Sequence, residues 1–140
     1  MKHLLTLILL LFPAYNAGPA IDLASNTPAT VWNAETPTPG SGTTAASQQV
    51  QLSTASNAGF TPFNVDGKFS GAPGAFEVDV QVAVKDADTN YQTVASGNIT
   101  TVDATNNTFH FDGTLVKARY ARLLMRSRTN SVSITATFNQ

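Results

Sequence analysis

The chain has no cysteine, and only 12% of its 140 residues are charged. The first absence excludes disulfides, thiolate nucleophiles and cysteine-based zinc sites, and it leaves the redox compartment open. The second places Thr, Ser, Asn and Gln where soluble enzymes usually carry charge, a composition that suits exposed β-structure. Histidine is scarce too: of the two, His3 lies in an apolar leader, so His110 alone could act as a base. No G-x-S-x-G elbow presents a serine, and a strand histidine between Phe109 and Phe111 reads as an outward polar residue. We therefore expect no enzyme, no catalytic residues and no cofactor. A net charge of −1 provides no global attraction to nucleic acid or to anionic membranes.

What is present falls into three parts. Residues 1–20 form an apolar leader: Met1–Phe12, MKHLLTLILLLF, has the basic start and apolar run of a secretory signal peptide and is short for a bilayer span. Cleavage after Ala17 would leave Tyr15 three residues before the cut, and cleavage after Ala20 would leave Pro19 beside it. The leader is thus either a signal, the chain's single route to membrane contact, or a retained arm that packs on a partner. Residues 21–44 read as an extended arm and linker, with the lone Trp32 in the arm and ETPTPGSGTT at Glu35–Thr44. Residues 45–140 read as one domain, with a boundary near Ala45.

That domain is β in pattern. Ala75–Lys85 alternates strictly, with Phe76, Val78, Val80, Val82 and Val84 on one face and Glu77, Asp79, Gln81, Ala83 and Lys85 on the other. Weaker strands are expected at Gln48–Thr54, Phe60–Phe69, Tyr91–Ala95, Asn98–Val102 and Thr108–Phe111. Asp66-Gly67, Gly71–Gly74, Asp86–Asn90 and Asp112-Gly113 carry turn residues. Ala118–Phe138 reads as a closing hairpin turning at Thr129-Asn130, with Ala121, Leu123 and Met125 facing the core. The expected fold is an all-β, antiparallel β-sandwich of jelly-roll or Greek-key type, preceded by an extended N-terminal arm.

Asp86–Asn90 matches the opening of a calcium loop, but Tyr91 and Gly97 stand where that loop needs glycine and glutamate, so we expect turn chemistry and no metal. Glu77 and Asp79 lie two apart on one strand, as on a solvated face; glycosidase carboxylates flank a cleft from different elements. Five of the eight basic residues are Lys117, Arg119, Arg122, Arg126 and Arg128. Arg122, Arg126 and Arg128 share the even-numbered face of their strand with Tyr120 and Leu124. Cross-strand pairing with Glu77 and Asp79 is one account of that stripe. A subunit interface is another, since arginine with tyrosine is typical interface composition. Sparse stacking aromatics argue against nucleic acid. Tyr120, Arg122, Arg126 and Arg128, with Trp32 on the arm, are the candidate protein-interface residues. Two N-x-[ST] sequons occur, at Asn98 and Asn106.

Phe69–Val84, FSGAPGAFEVDVQVAV, with Ala118–Leu123, ARYARL, and a final Ser/Thr-Val alternation, resembles small β-sandwich virion proteins of tailed phages. In those proteins a GAP-type turn precedes a long strand, and an A-R-Y-x-R-L strand pairs with the C-terminal one. Discoidin-like carbohydrate- and lipid-binding sandwiches carry a similar strand. The phage resemblance implies a non-enzymatic structural component of a virion, as capsid decoration, head fibre or tail-associated protein. Its partners would be other virion proteins and further copies of itself in a homo-oligomer. The discoidin-like strand and the leader imply the alternative, a secreted or cell-surface module that binds host-surface glycan or cell-wall polymer.

Overall fold

A computed structural model of the chain describes residues 20–23, 27–40, 45–52 and 60–140. The leader before Ala20, linker residues 41–44 and the strand tail expected at Ser53-Thr54 lie outside the described residues. Among those described, nine strands form: β1 Ile21–Asp22, β2 Ala29–Glu35, β3 Val50–Gln51, β4 Phe60–Phe69, β5 Phe76–Ala83, β6 Gln92–Ile99, β7 Thr108–Lys117, β8 Tyr120–Arg128 and β9 Ile134–Asn139. One sheet runs β1-β3-β8-β5-β6 and the other β2-β9-β4-β7. The pairs are antiparallel except β1 with β3.

Counted from β2, the eight longer-range strands take the order first–eighth–third–sixth in one sheet and second–seventh–fourth–fifth in the other. This is a jelly roll, one of the two sandwich types expected, and the strand order decides between them. In it only the β5–β6 link stays within a sheet; every other connection among these eight crosses between sheets.

The expected hairpin at Ala118–Phe138 is therefore corrected. β8 lies between β3 and β5, whereas β9 lies between β2 and β4 in the opposite sheet. The chain does turn at Thr129-Asn130, but these backbone amides donate to Ala75 and Pro73, fastening the crossover to the β4–β5 corner. The ARYARL strand likewise pairs with β3 and β5, not with the C-terminal strand.

Two further corrections concern glycine. Asp66-Gly67 is mid-strand in β4, and Gly67 is needed because a Cβ there would lie 2.0 Å from the Phe109 ring. Asp112-Gly113 does not end β7; a Cβ on Gly113 would meet the Phe63 carbonyl at 2.7 Å. In both places the absent side chain admits an aromatic neighbour to the core. The two strands expected at Tyr91–Ala95 and Asn98–Val102 are one irregular strand, β6, whose pairing with β5 slips between Asp79 and Gln81. Ser96, at φ 60°, carries the bulge.

The core fills the space between the sheets: Phe63, Val65, Phe69 and Phe138 from one, Val78, Val80, Leu123 and Met125 from the other. Phe69 meets Phe76 edge-on across it at 5.1 Å between ring centroids. At the far end of β5 the expected inward Val84 falls beyond the strand and is 57% exposed.

Trp32 belongs to this core. It is fully buried opposite Ala136, and slips in the β2–β9 register on both sides of it turn consecutive residues, Val31 and Trp32, inward. The small Ala136 leaves room for the indole. β1 and β2, read from sequence as an arm ahead of a boundary near Ala45, are strands of the two sheets.

Candidate functional site

The arginine stripe on β8 is the natural starting point, and the register of β5 against β8 decides where each side chain goes. Directly opposed residues share a sheet face. Asp79 opposes Leu124, Gln81 opposes Arg122 and Ala83 opposes Tyr120, so these face outward; Val78, Val80 and Val82 oppose Met125, Leu123 and Ala121 and face the core. Then the register slips: Val78 pairs with Met125 but Glu77 with Ser127, leaving Arg126 as an extra residue. Beyond that bulge the parity inverts. Arg128 opposes the core residue Phe76 and donates to the Val132 carbonyl at 2.8 Å. It is thus separated from the stripe in which the even numbering had placed it.

Arg122 and Arg126 remain on the outer face, and both are occupied. Arg122 is 5% exposed, accepted by Gln81 Oε1 at 3.0 Å and by the Asp88 carboxylate, with its guanidinium 4.0 Å from the centre of the Tyr91 ring. The loop Asp86–Tyr91 is folded back to make this lid: Tyr91 donates to Asp86 at 2.9 Å, and a short 3-10 turn at Asp88–Asn90 places the second carboxylate. The two aspartates of the calcium-like segment are thus engaged by Tyr91 and Arg122. Arg126 pairs with Asp79 at 3.4 Å, as cross-strand complementarity suggested, and Asp79 also accepts from Thr93 at 3.0 Å and Asn98 at 2.8 Å. Glu77 instead accepts from Asn98 at 2.8 Å, so the amide of one sequon is held by the sheet's own acids. Tyr120 is half-buried, with Arg119 5.5 Å from its ring centre.

A second cluster lies on the outer face of the other sheet. The β4–β7 register sets Asp66 opposite His110. His110 Nδ1 is 2.6 Å from Asp66 and Nε2 is 2.9 Å from Asp112, while Asn139 of β9 donates to Asp66 and to Asn64, both at 2.9 Å. The hydrogen bond to Asp66, followed by that to Asp112, holds the imidazole pKa above its ordinary value, because only the doubly protonated ring can donate to both carboxylates. The acids sit at opposite ring nitrogens and do not converge on one point. Asp112 is His110's neighbour two residues along β7, whereas Asp66 reaches it only through the strand register.

The third feature is an open groove where the free edge of β6 meets the free edge of β7. Two adjoining hollows of about 480 and 380 Å³ share Val82, Gln92 and Lys117. Val94, Phe111 and Val116 line one end, and Lys85, Asn90 and Val84 the other. The sequence shows Lys85 and Lys117 but not that they line one hollow, because they lie far apart in the chain.

No protein-family model matches the chain, and no curated protein matches it significantly.

Proposed function

We propose that the protein is a non-enzymatic structural component of a phage virion, a displayed jelly roll anchored to the capsid or tail through its N-terminal segment. The observation that carries this reading is the entry point of the chain. Ala20 and Ile21 join the body at β1, the outer edge strand of the five-stranded sheet. An apolar leader carried on that edge can reach a neighbouring subunit without disturbing the core. Jelly rolls are frequent in capsids, and that analogy of fold adds support. On the outer faces Arg122, Arg126 and His110 are each paired with carboxylates of the same chain, which suits a module displayed to solvent. Mass spectrometry of particles purified from the producing host tests the proposal: the chain is expected to co-purify through successive density gradients, and its repeated loss would refute it.

The secreted or cell-surface glycan-binding module remains the second reading, favoured by the basic start and apolar run of the leader. Jelly rolls also serve as lectins. The intact mass of the mature protein separates the two. Retention of Met1–Ala17 supports the assembly arm, and its removal supports secretion.

A further inference from the structure

We propose that the groove between β6 and β7 is a docking site for an extended acidic peptide segment of a partner protein, added along a sheet edge. This inference stands whether or not the chain is a virion component.

Three observations converge on it. First, β6 and β7 are the terminal strands of their sheets, so among the described residues each has one backbone edge with no strand beside it. Such an edge is a template for another strand. Second, the hollows between the two edges are about 480 and 380 Å³, within the range of ligand sites, and one end is apolar through Val94, Phe111 and Val116. Third, the described lining contains Lys85 and Lys117 and no carboxylate. Among the described residues no ion pair engages either lysine. The acids nearest in sequence, Asp86 and Asp88, are taken by Tyr91 and Arg122, so they do not neutralise the groove.

Arg122, Arg126 and Arg128 all have partners within the chain, whereas the two groove lysines present unmatched charge beside apolar surface. An extended segment offers alternate side chains to one side at a spacing of about 6.6–6.8 Å. Two apolar residues followed by two acids on one face match the groove's order from Val94 and Val116, past Lys117 at the junction of the hollows, to Lys85. A saccharide fits less well, since the one aromatic ring of the described lining, Phe111, is buried and offers no open face for stacking.

The test uses the full chain, isotope-labelled, with a blocked heptapeptide Val-Thr-Val-Thr-Glu-Thr-Glu, whose odd positions share one face. Saturable amide shifts confined to Gln92–Ala95 and Val116–Lys117 are expected, weakening with added salt. A K85E/K117E variant should bind about tenfold more weakly, from two partly exposed pairs replaced by repulsion. Unchanged shifts elsewhere in its spectrum would report an intact fold. The peptide with lysine in place of glutamate should not bind. Equal binding of both peptides, absence of saturable shifts, or groove shifts produced by an oligogalacturonate but not by the peptide would each overturn the proposal.

Discussion

Replacing Trp32 by alanine should destabilise the protein severely, because the structure makes this residue part of the core and not of a free arm. Its side chain has no exposed surface, lies opposite Ala136 and comes from the strand that pairs along β9. Truncating a fully buried tryptophan costs about 3–5 kcal/mol, combining lost transfer free energy with the cavity left behind. Against a typical total of about 5–15 kcal/mol, that is about a fifth of the stability or more. At about 4 °C per kcal/mol the midpoint should fall by about 12–20 °C. Urea unfolding followed by circular dichroism measures the difference. Because Trp32 is the single tryptophan, intrinsic fluorescence gives a second readout: the native emission should be blue-shifted and resist iodide. A stability changed by less than about 0.5 kcal/mol, the usual range for surface substitutions, would refute the placement. Native quenching as efficient as in urea would do the same.

Three other substitutions probe the remaining parts. Gly67→Ala should destabilise by about 1–3 kcal/mol, since its methyl would overlap the Phe109 ring. Denaturant titration in a Phe109→Leu background should show a smaller penalty, and additivity would contradict the contact. Asp79→Ala removes the acceptor shared by Arg126, Thr93 and Asn98. A loss of about 1–3 kcal/mol is expected, limited because these donors can turn to water. His110→Ala tests the Asp66–His110–Asp112 bridge. Its folded pKa is raised, so the bridge's stabilisation is complete below the unfolded value and is lost as pH rises through the folded one. Wild type and variant should thus differ most in acid and converge in alkali; a gap that widens with pH would contradict the bridge.

Much of the fold was legible because burial imposes a two-residue period. The alternation from Phe76 to Val82 located β5 and its inner face, and the small turn residues at Gly71–Gly74 and Asp86–Asn90 marked real corners. What local pattern does not encode is which sheet the next strand joins. Thr129-Asn130 supplies a turn in either case, and only the contacts to Pro73 and Ala75 make it a crossover. Parity arguments also fail silently at a bulge: one extra residue at Arg126 moves Arg128 to the opposite face. Gly67 and Gly113 carry the composition of turns but serve close approach, a fact about Phe109 and Phe63 that lies far away in the chain.

The candidate sites divide along the same line. Arg126 with Asp79 could be read from complementary charges on neighbouring strands. Arg122 could be named but not placed, because its burial depends on the Asp86–Tyr91 loop folding over it. The Asp66–His110 contact and the convergence of Lys85 and Lys117 on one groove depend wholly on register and on crossovers, and no local signal announces either. Trp32 was misjudged for a related reason: a segment rich in Pro, Thr and Asn resembles an arm until its bulged pairing with β9 is seen.

The functional claim is tested most directly by the copy number of the chain in purified particles. Quantitative mass spectrometry against the most abundant particle protein should return a fixed ratio that survives successive gradients and a salt wash, as expected of a subunit bound at repeated sites. A ratio that varies between preparations and falls to trace levels with purification would contradict the assignment.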